Sequence, residues 1–458
     1  MSSPTTPDGP NSLSVDLTNV QGNILGGFLK DHQRFLFCQI GDLAAARPWL
    51  TTMAGKVATA SDVTRFNALY GDFRVRLGEG VIQATWVNLA LTPTGLAKLL
   101  PPGDVAGFEP SFTTDITTHA PAVLNDPPAA GWIAPFNNPT GLDLVLIVAS
   151  DDRDDLDRCL AALRANFEAA GVREVHCEEG EARADDPGHE HFGYKDGVSQ
   201  PAVSLTGAPY TDLDSPWRFV ICSRLPVPVP PTAPAGPYPA PTPPPPVPDG
   251  PPAWAHEGSY LVYRRLHQDV AAFEAFRTAQ PKSTADRLVG RAEDGTPLDP
   301  AGAAGSANDW TFADDTSGAA TPLAAHIRKV NPRSGAESAH RIMRRGIAYG
   351  SSYREGADPA SPQGAAADRG LQFLCYQASL ATQFEFLQSS WCNNQNFPSA
   401  DAGEDPLIGQ PSGGGHCQIA LTPGATPTEI PTPLVTTTAS LYLFQPSIAG
   451  LRHLGGAT

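Results

Sequence analysis

The sequence lacks the features that would place it among membrane, nucleic acid-binding or disulfide-stabilised proteins. It has no run of about 18 apolar residues, the length that a membrane-spanning helix requires. Its 31 basic residues are outnumbered by 48 acidic ones, giving a net charge of −17 without a basic stripe. Nucleic acid and membrane surfaces are therefore not expected as partners. Seven scattered cysteines without a C-x-x-C pair argue against a disulfide framework or a zinc site and favour a reducing compartment.

The motifs of several enzyme classes are also absent. The chain has no G-x-S-x-G nucleophile elbow and no H-E-x-x-H metal-binding helix. The H-E-H sequence at 189–191 would place two histidines on one face of a strand, but no third ligand follows at a fixed spacing. Hydrolase chemistry and a histidine-bound metal at 189–191 are not expected.

What remains is a folded globular chain of 458 residues, with 41% hydrophobic and 17% charged residues, long enough for two or three domains. Positions 1–12 have neither a basic start nor an apolar segment, and we expect them to form a flexible tail. The chain is therefore expected in the cytoplasm, and secretion by an unrecognised route stays open.

Strand and helix patterns alternate along both halves of the chain. An apolar stripe at 156, 160, 163 and 167 predicts a helix that begins near Asp152 and ends before Gly171. Further helices are predicted through 270–276 and 384–391, and strands at 34–40, 85–91, 142–149, 172–177, 259–266, 371–376 and 441–444. This order predicts an α+β fold in which helices cover a sheet, and it suggests a duplicated unit.

A proline-rich stretch separates the two halves. Fifteen of the 27 residues at 226–252 are proline, which excludes a helix or a central strand. A surface insertion is favoured over a docking segment for an aromatic groove. The predicted domains are 13–215 and 216–450, with the insertion inside the second.

Three stretches carry candidate chemistry. In HFGYKDGVSQP (191–201), glycines at 193 and 197 permit positive φ, so that the turn aims Asp196. AHIRKVNPR (325–333) contains His326, and IMRRGIAYG (342–350) contains paired arginines after an apolar entry. Taken singly, they are typical of an Asx turn, a structural histidine and a solvated arginine pair.

Together the three stretches resemble the dye-decolorising peroxidases, a family of haem enzymes. VQGNIL (20–25), GSYLV (258–262) and QFEFLQ (383–388) add to the resemblance, which covers about 20–446 in order. It implies duplicated ferredoxin-like units with antiparallel sheets, helices packed on their faces, and one haem b per chain in the C-terminal half. It also implies that hydrogen peroxide is used to oxidise dyes, phenols and other small aromatic reductants by one-electron steps, through a ferryl porphyrin-radical intermediate.

The resemblance assigns roles around the iron. His326 becomes the proximal ligand, and Glu385 is the candidate acceptor for its second ring nitrogen. Asp196 becomes the distal acid and base that moves a proton between the peroxide oxygens. An unperturbed aspartate has a pKa near 4, so an acidic optimum for turnover is expected. Arg344 becomes the distal cation, with Arg345 as the alternative if the register differs by one.

The remaining assignments concern the cofactor edge and electron delivery. Arg333 is expected to pair with a haem propionate. Leu371 and Phe373 line the distal pocket or belong to the ordinary core. Tyr376 and Trp391 are candidates for relaying electrons from bulky substrates, although core packing is favoured for both.

Two function classes are compatible with these residues: a haem peroxidase, and a haem-binding or haem-handling protein with little turnover. Having both Asp196 and Arg344 favours the enzyme, because a carrier needs only a ligand. A protein-interaction module without haem is a third, weaker possibility. The oligomeric state, monomer or homo-oligomer, is left open.

Overall fold

The computed structural model describes residues 15–77, 82–205, 214–222, 251–281, 283–299, 308, 310–333, 339–411, 416–430 and 433–456. The predicted tail at 1–12 and positions 226–250 of the proline-rich stretch lie outside these residues. Among the helices of these ranges, none is long and apolar enough to cross a membrane.

Thirteen strands occur in the described residues. They are β1 (His32–Ile40), β2 (Thr85–Leu91), β3 (Leu144–Ser150), β4 (Val172–Glu181), β5 (Ala202–Ser204), β6 (Asp214–Pro216), β7 (Ser259–Gln268), β8 (Met343–Arg344), β9 (Ile347–Tyr349), β10 (Gly370–Gln377), β11 (Gln418–Ile419), β12 (Thr428–Glu429) and β13 (Val435–Gln445).

Nine of these strands form one antiparallel sheet in the order β4-β1-β3-β2-β13-β7-β10-β8, and β9 pairs with β10 beside β8. Counted along the chain within each half, with β8 and β9 taken together as one strand, the strands lie side by side in the same order in both halves. The fourth strand comes first, followed by the first, the third and the second. This repeated order confirms the duplicated ferredoxin-like fold. The two units are fused edge to edge, because Phe444 of β13 lies opposite Leu91 of β2. Outside this sheet, β5 and β6 pair in parallel and β11 pairs with β12.

The helices lie mainly between the strands. They are Gly22–Leu25, Leu43–Met53, Ala60–Leu77, Pro93–Leu99, Pro102–Val105, Pro110–Thr113, Ile116–Leu124, Arg153–Arg164, Val270–Ala279, Ser283–Val289, His326–Val330 and Ile448–Leu454, with 3-10 turns at Ala129–Gly131, Pro139–Gly141, Trp217–Phe219 and Ala253–Ala255. The predicted helix after Asp152 is confirmed at its start, where the Asp152 side chain accepts the N–H of Asp155 at 2.9 Å, but it ends at Arg164, before the predicted stripe residue at 167.

Two late elements differ from the prediction. The predicted helix at 384–391 is confirmed, but it begins at Leu380 and consists of two π-helical segments, Leu380–Phe384 and Leu387–Cys392, joined by two residues in α-helical conformation. The predicted strand at 441–444 is confirmed, but it was predicted too short, because the strand runs over Val435–Gln445. Its first half is a threonine-rich segment without an apolar run, and pairing with β7 makes it a strand despite an irregularity between Thr437 and Ala439.

Candidate active site

A cavity of about 660 Å³ lies among residues from both halves of the chain. Its wall contains six of the seven sequence-predicted site residues: Asp196, His326, Arg333, Arg344, Leu371 and Phe373. The seventh, Glu385, does not line it. The structure therefore brings together side chains that are up to 177 positions apart, as Asp196 and Phe373 are.

His326 is the first residue of the short helix His326–Val330. Its Nδ1 lies 2.7 Å from Oδ2 of Asp405, whose side chain is fully buried. Because Asp405 is an acceptor in its ionised form, it holds the ring as the tautomer with hydrogen on Nδ1, which leaves the lone pair on Nε2. His326 thus offers a nitrogen ligand whose orientation is set by its neighbour.

Asp405 is itself held in place. Its Oδ1 accepts the backbone N–H groups of Leu407 at 2.9 Å and Ile408 at 3.0 Å. Burial by itself raises the pKa of the Asp405 carboxyl, but His326 and these two N–H groups outweigh it, so that the pKa lies below its ordinary value. The carboxylate is therefore ionised at neutral pH.

The prediction that Glu385 is the partner of His326 was wrong. Glu385 accepts hydrogen bonds from Ser111 at 2.8 Å and Tyr442 at 3.0 Å, and one of its oxygens lies 2.6 Å from Nε2 of His119. Side chains three or four positions apart share a helix face, and Phe384 faces the cavity together with 387 and 388. Glu385 points to the other side of that segment.

Sequence reasoning missed Asp405 because no local pattern distinguishes it. It is a single aspartate in an irregular loop, 79 positions after His326, and nothing in the spacing relates the two. Only the packing of this loop against the helix of His326 reveals the pair.

The turn around Asp196 has the predicted backbone. Gly193 has φ +86° and Gly197 has φ +75°, the left-handed region that favours glycine. A Cβ atom at either position would meet nothing within 4 Å, so the conformation and not crowding requires glycine. The turn is also held by Glu190, whose carboxylate accepts the N–H groups of Phe192 at 2.9 Å and Tyr194 at 3.0 Å.

Glu190 is a second residue that sequence reasoning missed as part of the site. It lines the cavity, and burial raises the pKa of its carboxyl, with the charge of Asp196 adding to the effect. Its side chain also accepts a hydrogen bond from Gln268 of β7, which ties the Asp196 turn to the second half. In the sequence, the signal that could have pointed to Glu190 was its position next to the glycine-containing turn of Asp196.

Arg344 and Asp196 are in direct contact. Nη1 of Arg344 lies 3.2 Å from Oδ1 of Asp196, and both side chains are about one-third exposed, at 30% and 35%. Oδ1 also accepts the N–H of Gly197 at 2.6 Å. The pair is therefore an acid and a cation that share one wall of the cavity.

Arg345, the alternative to Arg344, faces away from the cavity. Its guanidinium donates to the backbone carbonyls of Asn23 at 2.9 Å and Leu25 at 2.7 Å. Burial lowers the pKa of this guanidinium to about 10, which leaves it charged at neutral pH. Of the two arginines, Arg344 therefore lines the cavity and Arg345 does not.

A cationic corner lies on the same cavity. Arg333 stacks over the ring of Trp310 at 4.3 Å and donates to the carbonyls of Asn308 at 2.7 Å and Trp310 at 2.9 Å. Arg291 donates to the Ser199 hydroxyl at 2.7 Å, and burial, with a contribution from the charge of Arg344, lowers its pKa to about 10. Both arginines stay protonated at neutral pH, so this corner favours an anionic group.

The apolar wall comes from β10. Leu371 and Phe373 alternate with the buried Gln372, which accepts a hydrogen bond from Tyr263 on the opposite face of the sheet. By contrast, Tyr376 and Trp391 are buried at 0% and 3% exposure, as expected for core packing. Within the described residues no group of three or more histidine, cysteine or acidic side chains could hold a metal ion.

These residues fit a haem group. A single imidazole whose Nδ1 is hydrogen-bonded to Asp405, apolar walls and a corner of two arginines match a planar iron porphyrin that carries carboxylates. The carboxylate of Asp196 and the guanidinium of Arg344, in contact with each other, line the same cavity.

Comparisons with known proteins agree with this geometry. Residues 19–184 match the DyP dimeric alpha+beta barrel domain, and residues 245–402 match the Dyp-type peroxidase C-terminal domain. A dye-decolorising peroxidase of Mycetinis scorodonius is 31% identical, with 96% of this chain and 88% of that protein covered. A multifunctional dye peroxidase of an Amycolatopsis species is 32% identical, with 96% of each covered. A dye-decolorising peroxidase solved in complex with 2,6-dimethoxyphenol superposes with a TM-score of 0.75 at 27% identity, covering 96% of this chain and 100% of that one.

Proposed function

Because the chain belongs to the dye-decolorising peroxidase family, we propose that the cavity is its haem site and that Asp196, His326 and Arg344 carry the reaction. The chain is a haem-dependent peroxidase that uses hydrogen peroxide to oxidise dyes and phenols. The observation that carries the assignment of roles is the pairing of His326 with Asp405 on the same cavity as Asp196 with Arg344.

His326 would hold the iron through Nε2, and the group would be haem b, one per chain. When bound, the haem supplies the iron that accepts peroxide and stores two oxidising equivalents. Asp405 keeps His326 oriented and electron-rich, since an anionic hydrogen-bond acceptor raises the basicity of an imidazole ligand. Arg333 and Arg291, on either side of the Ser199 hydroxyl, would hold the propionates.

Asp196 moves the proton. Its Oδ1 is engaged by Arg344 and by the N–H of Gly197, which leaves Oδ2 to take a proton from one oxygen of peroxide and return it to the other. Arg344 places a permanent positive charge beside the oxygens, where negative charge develops as their bond breaks. Leu371 and Phe373 exclude water from this part of the cavity.

The domain division expected from the sequence, 13–215 and 216–450, is consistent with the strand order. Strands β1–β4 make the first unit, and β7, β8, β9, β10 and β13 make the second. Asp196 comes from the first unit, and His326 and Arg344 come from the second, so that the cavity is shared by the two. All seven cysteines are free thiols, which supports a cytoplasmic location.

Small aromatic reductants are the proposed partners besides hydrogen peroxide. The test is steady-state turnover of the haem-loaded protein with hydrogen peroxide and 2,6-dimethoxyphenol. We expect many turnovers per chain, fastest at acidic pH, and none with His326→Ala because that variant should not retain haem. A haem-loaded protein that consumed neither peroxide nor phenol would instead support the haem-handling function.

A further inference from the structure

Arg344 lies at the free edge of the large sheet. Its strand, β8, is two residues long and, among the described strands, pairs only with β10, where Arg344 is opposite Cys375. The adjacent N–H of Arg345 donates to the carbonyl of Leu374 at 2.7 Å. Hydrogen-bonded and non-bonded pairs alternate in an antiparallel ladder, so Arg344 turns its own N–H and C=O away from β10, to the outer edge.

The side chain of Gln200 occupies that edge. Its Nε2 donates to the carbonyl of Arg344 at 2.8 Å, and its Oε1 accepts the N–H of Arg344 at 3.3 Å. The same carbonyl also accepts a bond from Nη1 of Arg345 at 2.9 Å. The Gln200 amide therefore takes the place that a further strand would occupy at this edge of the described sheet, and it satisfies both main-chain groups of Arg344.

Gln200 follows Asp196 by four positions, so the segment that carries Asp196 contacts Arg344 at both its main chain and its side chain. The Gln200 side chain fixes the main chain of Arg344, and the Arg344 guanidinium contacts Asp196 at 3.2 Å. We propose that Gln200 is a positioning residue that sets the distance between the Arg344 guanidinium and the Asp196 carboxylate. The proposal rests on the proposed function, because it concerns the geometry of that same acid–cation pair.

The first half of the chain contains the same pair of glutamine hydrogen bonds, but there they hold a leucine that has no proposed role in the reaction. Gln21 donates to the carbonyl of Leu89 at 2.8 Å and accepts the N–H of Leu89 at 2.9 Å. Leu89 lies in β2, which holds the same place in its ferredoxin-like unit as β8 holds in the second. Each glutamine precedes the first strand of its unit. We call this pair of hydrogen bonds, from one glutamine side chain to the N–H and C=O of a strand residue, the glutamine clamp. It occurs once in each unit, and in the second unit the clamped residue is Arg344, whose guanidinium faces the cavity.

The primary test is a double-mutant cycle on haem-loaded protein. Gln200→Met keeps the length of the side chain but removes both hydrogen bonds. A misplacement of about 1 Å in a catalytic group can slow a reaction by about 100-fold. We expect Gln200→Met to slow the single-turnover reaction with peroxide by about 10- to 100-fold while haem retention is unchanged. In the Arg344→Leu background the same substitution should slow the reaction less than about twofold, because its effect passes through Arg344.

Gln21→Met is the matched control. It removes the same kind of two-way clamp and should lower the melting temperature, yet the folded, haem-loaded fraction should react with peroxide at the parent rate. If Gln200→Met slowed the Arg344→Leu variant as much as it slowed the parent, or if it left the parent rate unchanged, the positioning role would be overturned.

A second measurement does not depend on turnover. Amide hydrogen exchange of the β8 peptide, in protein without haem, should accelerate in Gln200→Met and remain at the parent rate in Gln21→Met. Unchanged exchange at β8 would refute the clamp even if the protein proved inactive. Conversely, a parent protein that bound haem without reacting with peroxide would refute the peroxidase function, while faster exchange at β8 would still support the clamp.

Discussion

Nδ1 of His326 lies 2.7 Å from Oδ2 of Asp405, and the aspartate side chain is fully buried. A buried carboxylate next to an imidazole ligand gives the ring partial anionic character, and this stabilises a metal in a high oxidation state. Under the proposed function, this pair would distinguish His326 as the haem ligand from a histidine that only packs in the core.

Asp405→Asn should weaken the hold on the iron. The amide can still accept the hydrogen bond but carries no charge, so we expect the reduction potential of the bound haem to rise and its affinity to fall by about 10- to 100-fold. Spectroelectrochemistry and haem titration measure both. Glu385→Gln is the control: it should leave the potential unchanged, because Glu385 contacts His119 and Tyr442 instead. If the reduction potential of the haem changed only in Glu385→Gln, Glu385 and not Asp405 would be the hydrogen-bond partner of His326.

Arg344→Leu should retain haem but react with peroxide about 100- to 1,000-fold more slowly, as expected when a preorganised charge is removed. Arg344→Lys keeps the charge but loses the planar fork that reaches Asp196, so its rate should lie between those of the parent and the leucine variant. Stopped-flow absorbance in the Soret region gives all three rates. Equal rates for the parent and Arg344→Leu would remove this residue from the mechanism.

Gly197→Ala should misplace Asp196 through the backbone alone. With φ at +75° and open space within 4 Å of the position that the alanine methyl group would take, the cost is conformational, about 1–2 kcal/mol. Relief of that strain would move the turn, and the peroxide rate should fall. Gly456→Ala carries the same strain, at φ +80° with open space around it, and should lose similar stability without loss of rate.

His191 should make stability depend on pH. Burial lowers the pKa of this imidazole to about 4, whereas in the unfolded chain it is about 6.5. The unfolded state therefore binds more protons between these values, and stability falls as the pH falls from about 6.5 to about 4. The loss at pH 5 is about 2 kcal/mol, by the ~1.4 kcal/mol that each pKa unit represents.

Urea unfolding at several pH values measures how steeply the free energy of unfolding changes with pH, which is the slope that His191 should cause. His191→Gln stays neutral and can still donate to the carbonyl of Tyr349, so it should remove most of the slope. His453→Gln, at an exposed histidine stacked on Trp254, should keep the parent slope. The same slope in the parent and in His191→Gln would show that other groups cause the loss at acidic pH.

Much of the fold could be predicted from the sequence because the patterns are local. The strand at 85–91 and the helix after Asp152 follow from apolar periodicity and a capping side chain, which act within a few residues. The last strand was underestimated because its threonines lack an apolar run, and only pairing with β7 stabilises it. The single continuous sheet was not predictable, since it depends on one edge contact between Leu91 and Phe444.

The sequence by itself indicated the turn that presents Asp196, because glycine is the residue that most readily adopts the positive φ found at 193 and 197. It also identified His326 and Arg344 as candidates through motifs. Only the tertiary structure decided that Asp405 and not Glu385 supports His326, and that Arg344 and not Arg345 faces the cavity. The physical reason is range: a backbone conformation is encoded within a few residues, whereas a hydrogen bond across 79 positions exists only after the chain has packed.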